Sequence, residues 1–130
     1  MKKKEIELPK DMMIESETNS KGEIVFANND FCKIAGYSME ELIGKPHNII
    51  RHQDMPKIAF RNLWETIQAG NIWKGIVKNK TKNGQYYWVN ATAFPSKTPT
   101  GELRYISIRV KPTHQEIENA QKLYATLQGQ

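Results

Sequence analysis

Between Trp73 and Lys111 the sequence is written as three extended stretches separated by two tight turns. Trp73 to Lys80 leads into Lys82-Asn83-Gly84, the residue types of a hairpin turn, and Gln85 to Pro95 leads into Pro99-Thr100-Gly101 before Glu102 to Lys111. Strands joined by so few residues lie side by side in opposite directions, so this region is predicted to be an antiparallel meander. A sheet of this kind has to bury one face, and the preceding segment supplies a cover. From Lys57 to Ala69, Phe60, Leu63, Trp64 and Ile67 recur at i, i+3, i+4 and i+7, with Pro56 at the entrance and Gly70 at the exit, which predicts an amphipathic helix.

Upstream, Met12 to Glu17 reads as extended, turns at Asn19-Ser-Lys-Gly22 and continues in Glu23 to Ala27. The period then changes. Phe31, Ile34 and Ala35 share a helical face, with Asn28 or Asn29 as cap and Gly36 as stop. Ser38-Met-Glu-Glu41 has capping-box spacing before a brief helical turn that ends at Gly44, and Pro46 blocks its continuation. Downstream, Pro112 ends the last strand and Thr113 to Gln128 is amphipathic, with Ile117, Ala120, Leu123, Tyr124 and Leu127 on one face. The expected organisation is a flexible lead over 1–11, a domain over 12–112 and a connector helix over 113–130 that points away from it. The class is α+β: a five-stranded antiparallel sheet, short helices covering one face around one pocket, and a C-terminal amphipathic helix.

Composition excludes several alternatives. A chain of 130 residues fits one domain, and 38% hydrophobic with 25% charged residues suits neither a disordered nor a membrane-embedded chain. No run approaches the length of a membrane span, and the lysines after Met1 are followed by Glu5, Glu7 and Pro9 instead of an apolar core, so neither signal peptide nor direct membrane insertion is expected. Cys32 is the only cysteine and can form no internal disulfide, in keeping with a cytoplasmic location. The net charge of +5 is dispersed, and Lys78, Lys80 and Lys82 recur at the period of a strand exterior without a nucleic-acid motif, so nucleic acid is not an expected partner. No nucleophile elbow, phosphate loop, catalytic carboxylate pair or metal triad is present, and the chain is not expected to be an enzyme.

Asn28-Asn-Asp-Phe-Cys-Lys-Ile-Ala-Gly-Tyr-Ser-Met-Glu-Glu-Leu-Ile-Gly44 resembles the segment of PAS domains in which an asparagine precedes a helix ending in Gly-Tyr and a Ser/Thr-x-Glu-Glu-Leu-x-Gly turn. Lys82-Asn-Gly84 before Tyr87-Trp88 resembles the hairpin of that family. Pro46-His-Asn-Ile-Ile-Arg-His-Gln-Asp-Met-Pro-Lys57, with Trp73-Lys-Gly-Ile-Val-Lys-Asn79, is similar to the PAS domains of bacterial aerotaxis receptors, which bind FAD without a covalent link and report redox state. The resemblance implies flavin contacts at Asn28, Arg51, His52, Asp54, Phe60, Trp73 and Asn79. An isoalloxazine ring needs an amide for its polar edge and aromatics for its flat face, chemistries that Asn79 and the Phe60/Trp73 pair offer. Arg51, His52 or Lys57 could meet the FAD pyrophosphate, and Trp64 either covers the ring edge or fills the core.

In the related light-oxygen-voltage domains a cysteine forms an adduct with the flavin. That position falls on His47 here, and Cys32 lies on an earlier helix, so the expected stimulus is redox state or oxygen, not light. A second flavin-pairing asparagine of those domains falls near Val89, and their late glutamine near Arg109, whose guanidinium would favour a reduced anionic flavin. Asn90 should face the other way by strand alternation. The implied output is a chemoreceptor signalling or HAMP-type module in the same or another chain, with a homodimer as a further expectation.

Other readings stand beside these. Asn28 serves equally as a helix cap, and Arg51 and Asp54 could pair at the surface. Phe60, Trp64 and Ile67 suit a core. His47 and His52 are poorly spaced for a metal, and His52 could be an axial haem ligand in a gas sensor. A ligand-free dimerisation module using Val89, Ile106 and the terminal helix is the remaining alternative.

Overall fold

A computed structural model describes residues 4–127 of the chain. Five strands form one sheet: β1 (Ile14–Thr18), β2 (Ile24–Ala27), β3 (Trp73–Lys80), β4 (Tyr86–Lys97) and β5 (Leu103–Val110). Between β2 and β3 come α1 (Asn29–Ala35), α2 (Met39–Leu42), a short 3-10 helix (His47–Ile50) and α3 (Lys57–Gln68), and α4 (His114–Thr126) follows β5. The spatial order is β2-β1-β5-β4-β3, and every neighbouring pair is antiparallel. The meander thus continues into the N-terminal hairpin through β5, which lies between β4 and β1.

Local chemistry accounts for the helix ends. The Asn28 side chain accepts the Phe31 N–H to start α1, and Gly36 ends it in a left-handed conformation at φ 80°. Ser38 and Glu41 close a capping box at α2, and Thr113 and Glu116, at the same spacing, close a second one at α4. The 3-10 helix has no period in the sequence to announce it. The prolines at 46 and 56 bracket that segment and keep it from joining α2 or α3.

Register decides which residues share the inner face. Gly75 is opposite Ala91, Ala91 opposite Arg109, and Arg109 opposite Ile14. One step along, Trp73, Ala93, Ser107 and Ser16 form the next row. The centre of this face is therefore built from small side chains, and α3 covers it with Phe60, Leu63, Trp64 and Ile67.

Two expectations are corrected. Residues 4–11 are not a free lead: Ile6 N–H donates to Tyr86 O at 2.7 Å, Tyr86 N–H donates to Lys4 O at 3.2 Å, and Leu8 is 2% exposed in the main core. The segment extends the edge of β4 beyond the end of β5 and so satisfies backbone groups that would otherwise be orphaned. Nor does α4 point away from the domain. Ala120 and Tyr124 are buried, the Tyr124 hydroxyl donates to Ile76 O, and Asn90 faces α4 with its amide 3.5 Å from Glu116. Its apolar face is too wide to be left in water when the outer face of β3 and β4 offers Ile76 and Trp88. Residues 128–130 of the expected connector lie outside the described residues.

Leu8→Ala should lower the unfolding free energy by about 2–4 kcal/mol in urea titrations, the cost of a core cavity. Lys10→Ala, on the exposed side of the same segment, should change it by no more than about 0.5 kcal/mol. Equal, small effects from both would mean that the segment is not docked in solution.

Candidate functional site

The small residues of the inner face leave a cavity of about 250 Å³ beneath α3. Ser16, Ala91, Ala93 and Ser107 form its floor, Phe60, Leu63, Trp64 and Ile67 its apolar roof, and His47, Arg51, Asn79 and Arg109 bring polar groups to it. The 3-10 helix carries His47 to Ile50 along one side, which makes that irregular stretch a wall of the site. Trp64 is held in place by a perpendicular contact with Tyr105, ring centroids 5.3 Å apart, and by the tight turn at Gly22, where a methyl group would press against its ring.

Arg109 is 3% exposed and stands at the centre of the polar side. Its guanidinium donates to Ser16 Oγ at 3.0 Å and Ser107 Oγ at 3.2 Å, lies 3.1 Å from His47 Nε2, and stacks 4.8 Å from the Phe31 ring centroid. Among the described residues no carboxylate pairs with it. Burial lowers its pKa to about 10, so the charge persists at neutral pH. A guanidinium has only donors, so His47 Nε2 must accept and the ring proton sits on Nδ1. Ser16 Oγ, 3.0 Å from the same nitrogen, can complete the arrangement with its hydroxyl proton. Burial, with Arg109 and then Arg51 nearby, pushes His47 down to about 3 and keeps it neutral.

Four buried polar atoms make no hydrogen bond within 3.5 Å among the described residues: Arg51 Nε, Asn79 Nδ2, Tyr87 Oη and Arg109 Nε, of which the Tyr87 hydroxyl and the Asn79 side chain still lie close enough to interact with each other. Three of these side chains line the cavity, and Tyr87 stands beside Asn79 as a direct neighbour across the ladder, at 79 on β3 and 87 on β4. Tyr87 is fully buried, and burial pushes its hydroxyl up to about 12, so it remains a protonated donor. Buried donors left without an acceptor cost free energy, and a cavity ringed by them suits a ligand that presents acceptors.

Among the expected site residues, Arg51, Phe60, Trp64, Asn79 and Arg109 meet at this cavity. The Arg51 guanidinium lies on the face of Phe60, 3.8 Å from its centroid. Four expected contacts fall elsewhere. Asn28 Oδ1 accepts the Glu15 and Phe31 N–H groups and its amide donates to Met13 O, so the side chain ties α1 to β1. Trp73 lies along its own strand over Gly75, donates to Asn62 Oδ1 at 2.9 Å and lines a neighbouring groove. His52 and Asp54 stand outside the cavity, with His52 Nδ1 accepting the Asp54 N–H at 3.0 Å and Asp54 paired with Lys78 at 2.8 Å. An axial haem position for His52 and a surface pair between Arg51 and Asp54 are thereby corrected as well. Neither His47 nor Tyr87 was expected in the site. His47 was within reach, since it occupies the adduct-cysteine position, whereas Tyr87 entered only through the hairpin motif it shares with Trp88.

The sequence matches a family model described as PAS fold over residues 24–110. It is 43% identical over 120 residues to the aerotaxis receptor of Escherichia coli, covering 92% of this chain and 24% of that protein. It is 31% identical over 118 residues to a biofilm dispersion protein of Pseudomonas aeruginosa (87% and 28%) and 28% identical over 90 residues to a nitrogen fixation regulatory protein of Klebsiella oxytoca (69% and 18%). The chain thus spans between 18% and 28% of the length of these relatives. In fold it is similar to the blue-light photoreceptor Aureochrome1 LOV domain in its light state, with a TM-score of 0.73 at 16% identity over 86% of this chain and 91% of that one. It is equally similar, at 15% identity over 88% and 87%, to a light-oxygen-voltage domain studied with a flavin analogue.

The depressed His47 pKa has a consequence for stability. Between pH 6.5 and about 3 the unfolded chain takes up a proton that the folded site refuses, so stability is greatest above pH 6.5 and falls as the pH drops. His52, lowered by burial and by Lys78, acts in the same direction. The melting temperature of the ligand-free protein should fall by roughly 5 °C or more from pH 7 to pH 5, at up to about 1.4 kcal/mol per pH unit for His47 alone. His47→Gln should flatten most of that slope, and an equally steep profile in the variant would remove His47 as its source.

Proposed function

The chain belongs to the PAS fold family, and from that premise we propose that its cavity holds the ring system of a flavin, as FAD, and reports the redox or oxygen status of the cell. The observation that carries this reading is the set of unpartnered buried donors around a slot with an apolar roof. The pyrimidine edge of an isoalloxazine offers acceptors to Asn79 and Arg109, and its flat tricyclic face suits Phe60 and Trp64. At about 250 Å³ the cavity lies below the ~300–1,000 Å³ common for whole ligands, which suits a ring system with the rest of the dinucleotide at the mouth. Lys21, Asn48 and Arg51 line that mouth with groups suited to phosphate.

When bound, the flavin supplies reversible electron transfer. The protein's part is to set the charge around it: Arg109 is a fixed positive charge that favours the electron-rich state of whatever lies in the cavity, and His47, held neutral against it, adds no charge of its own. Asn79 can donate through Nδ2 or accept through Oδ1, so it can follow a change in the ligand's protonation, and β3 carries that change to Ile76, where Tyr124 of α4 is attached. The output passes to a chemoreceptor signalling or HAMP-type module, in the same or another chain, on the cytoplasmic side. Among the described residues no helix is long and apolar enough to cross a membrane. A homodimer through the outer sheet face is compatible with this output.

Purified protein should show the two visible absorption bands of a flavin, with FAD identified by mass after release. Asn79→Ala should weaken FAD at least about tenfold, the loss expected for one buried hydrogen bond. Arg109→Gln should make the reduction potential more negative by tens of millivolts, 59 mV being a tenfold change for one electron. Protein that stays colourless after incubation with excess FAD would sink the reading.

A further inference from the structure

Arg51 to Pro56 crosses the free edge of β3, and its side chains divide between the two faces of the sheet. β3 is the terminal strand, and Arg51 forms an isolated antiparallel bridge with Asn79. On the inner face Arg51 lies on Phe60 at the cavity. Lys78 alternates with the cavity residues Val77 and Asn79 and therefore points to the outer face, as do Tyr86 and Trp88 on β4. There the Lys78 ammonium donates to Asp54 Oδ2 at 2.8 Å and lies 4.3 Å from the Tyr86 ring centroid. His52 stands edge-on to the same ring, centroids 5.8 Å apart and planes at 70°. At the edge itself, the Lys78 N–H meets Met55 Sδ at 3.4 Å, and Met55 is 5% exposed.

We propose that Lys78, seated on the Tyr86 ring, is a positioning residue: it clamps the Arg51-to-Pro56 segment from outside the sheet so that Arg51 is presented to the cavity beside Asn79. The inference rests on reading the cavity as a ligand site. Lys78 and Asn79 are consecutive on one strand, so a segment anchored to the first is held in register with the second. Segments that cross a sheet edge have few ladder bonds of their own and depend on side-chain anchors. Lys78 suits the task because its side chain is only 15% exposed, which lets an ion pair and a cation–ring contact act together where either alone at the surface would be weak. His52 and Asp54 then contribute to the cavity through this clamp without touching its contents.

The test uses Lys78→Met, which keeps the aliphatic stem, and Lys78→Arg, which keeps the charge. In the ligand-free protein, amide hydrogen exchange at His52, Asp54 and Met55 should be about tenfold faster in Lys78→Met and near wild type in Lys78→Arg, with α3 amides unchanged in both. With FAD as probe, Lys78→Met should raise Kd about tenfold and Lys78→Arg by less than about threefold. Asp54→Asn should act in the same direction as Lys78→Met and serves if that variant does not fold. Unchanged exchange in Lys78→Met overturns the proposal, as does an unchanged FAD affinity despite faster exchange, or a Lys78→Arg variant as impaired as Lys78→Met. If the wild-type protein binds no FAD, the flavin reading fails and the exchange measurement alone decides the clamp.

Discussion

The inner face of the sheet carries almost no side-chain volume at its centre. Ala91, Ala93, Ser107 and Ser16 meet there across three strands, so α3 can cover this part of the sheet only by bridging an empty space. Protein interiors are close-packed, and a void left by small residues on a face otherwise crowded with Tyr87, Trp73 and Tyr105 is a feature of the fold. Everything else at the site is arranged around it. The 3-10 helix supplies a wall, the turn at Gly22 fixes Trp64, and β5 delivers Arg109 because it lies between β1 and β4.

Arg109 gives that space its chemistry. A buried guanidinium without a carboxylate is costly, and two serine hydroxyls, a neutral imidazole and the face of Phe31 compensate it only in part. Its remaining donor and those of Asn79, Tyr87 and Arg51 leave the cavity positive and rich in donors, which matches an electron-rich acceptor edge and opposes a cation. His47 is kept neutral first by its burial and then by the Arg109 and Arg51 guanidinium groups, which oppose a third positive charge.

The Arg-His-x-Asp-Met-Pro string shows how a sequence motif can be one unit in the chain and two in space. Arg51 belongs to the cavity, while His52 and Asp54 belong to the outer face with Lys78 and Tyr86. That outer cluster adjoins the point where Ile6 pairs with Tyr86, and α4 packs on the same face through Ala120 and Tyr124. Residues 4–8 and α4, expected to be free of the domain, are instead attached to the sheet where the motif reaches it.

What the sequence determined is local. Hairpin turns, capping residues and apolar period set the order of elements nearly as observed, and strand alternation correctly sent Asn90 away from the cavity, while Val89, offered for a dimer surface, is fully buried. That Arg51, Phe60, Trp64, Asn79 and Arg109 would meet at one pocket was legible from residue type and position on an element, with resemblance adding Arg51, Phe60 and Asn79. Asn28, Trp73, His52 and Asp54 were not separable from them, since an asparagine that caps a helix and one that pairs with a ligand look alike in a string of letters. Tertiary structure alone decided which strand lies beside which, so that Arg109 meets Ser16 across 93 positions, and on which side of β3 each residue of the crossing segment falls. Those choices depend on long-range packing of faces against one another, which backbone propensity and side-chain period do not encode.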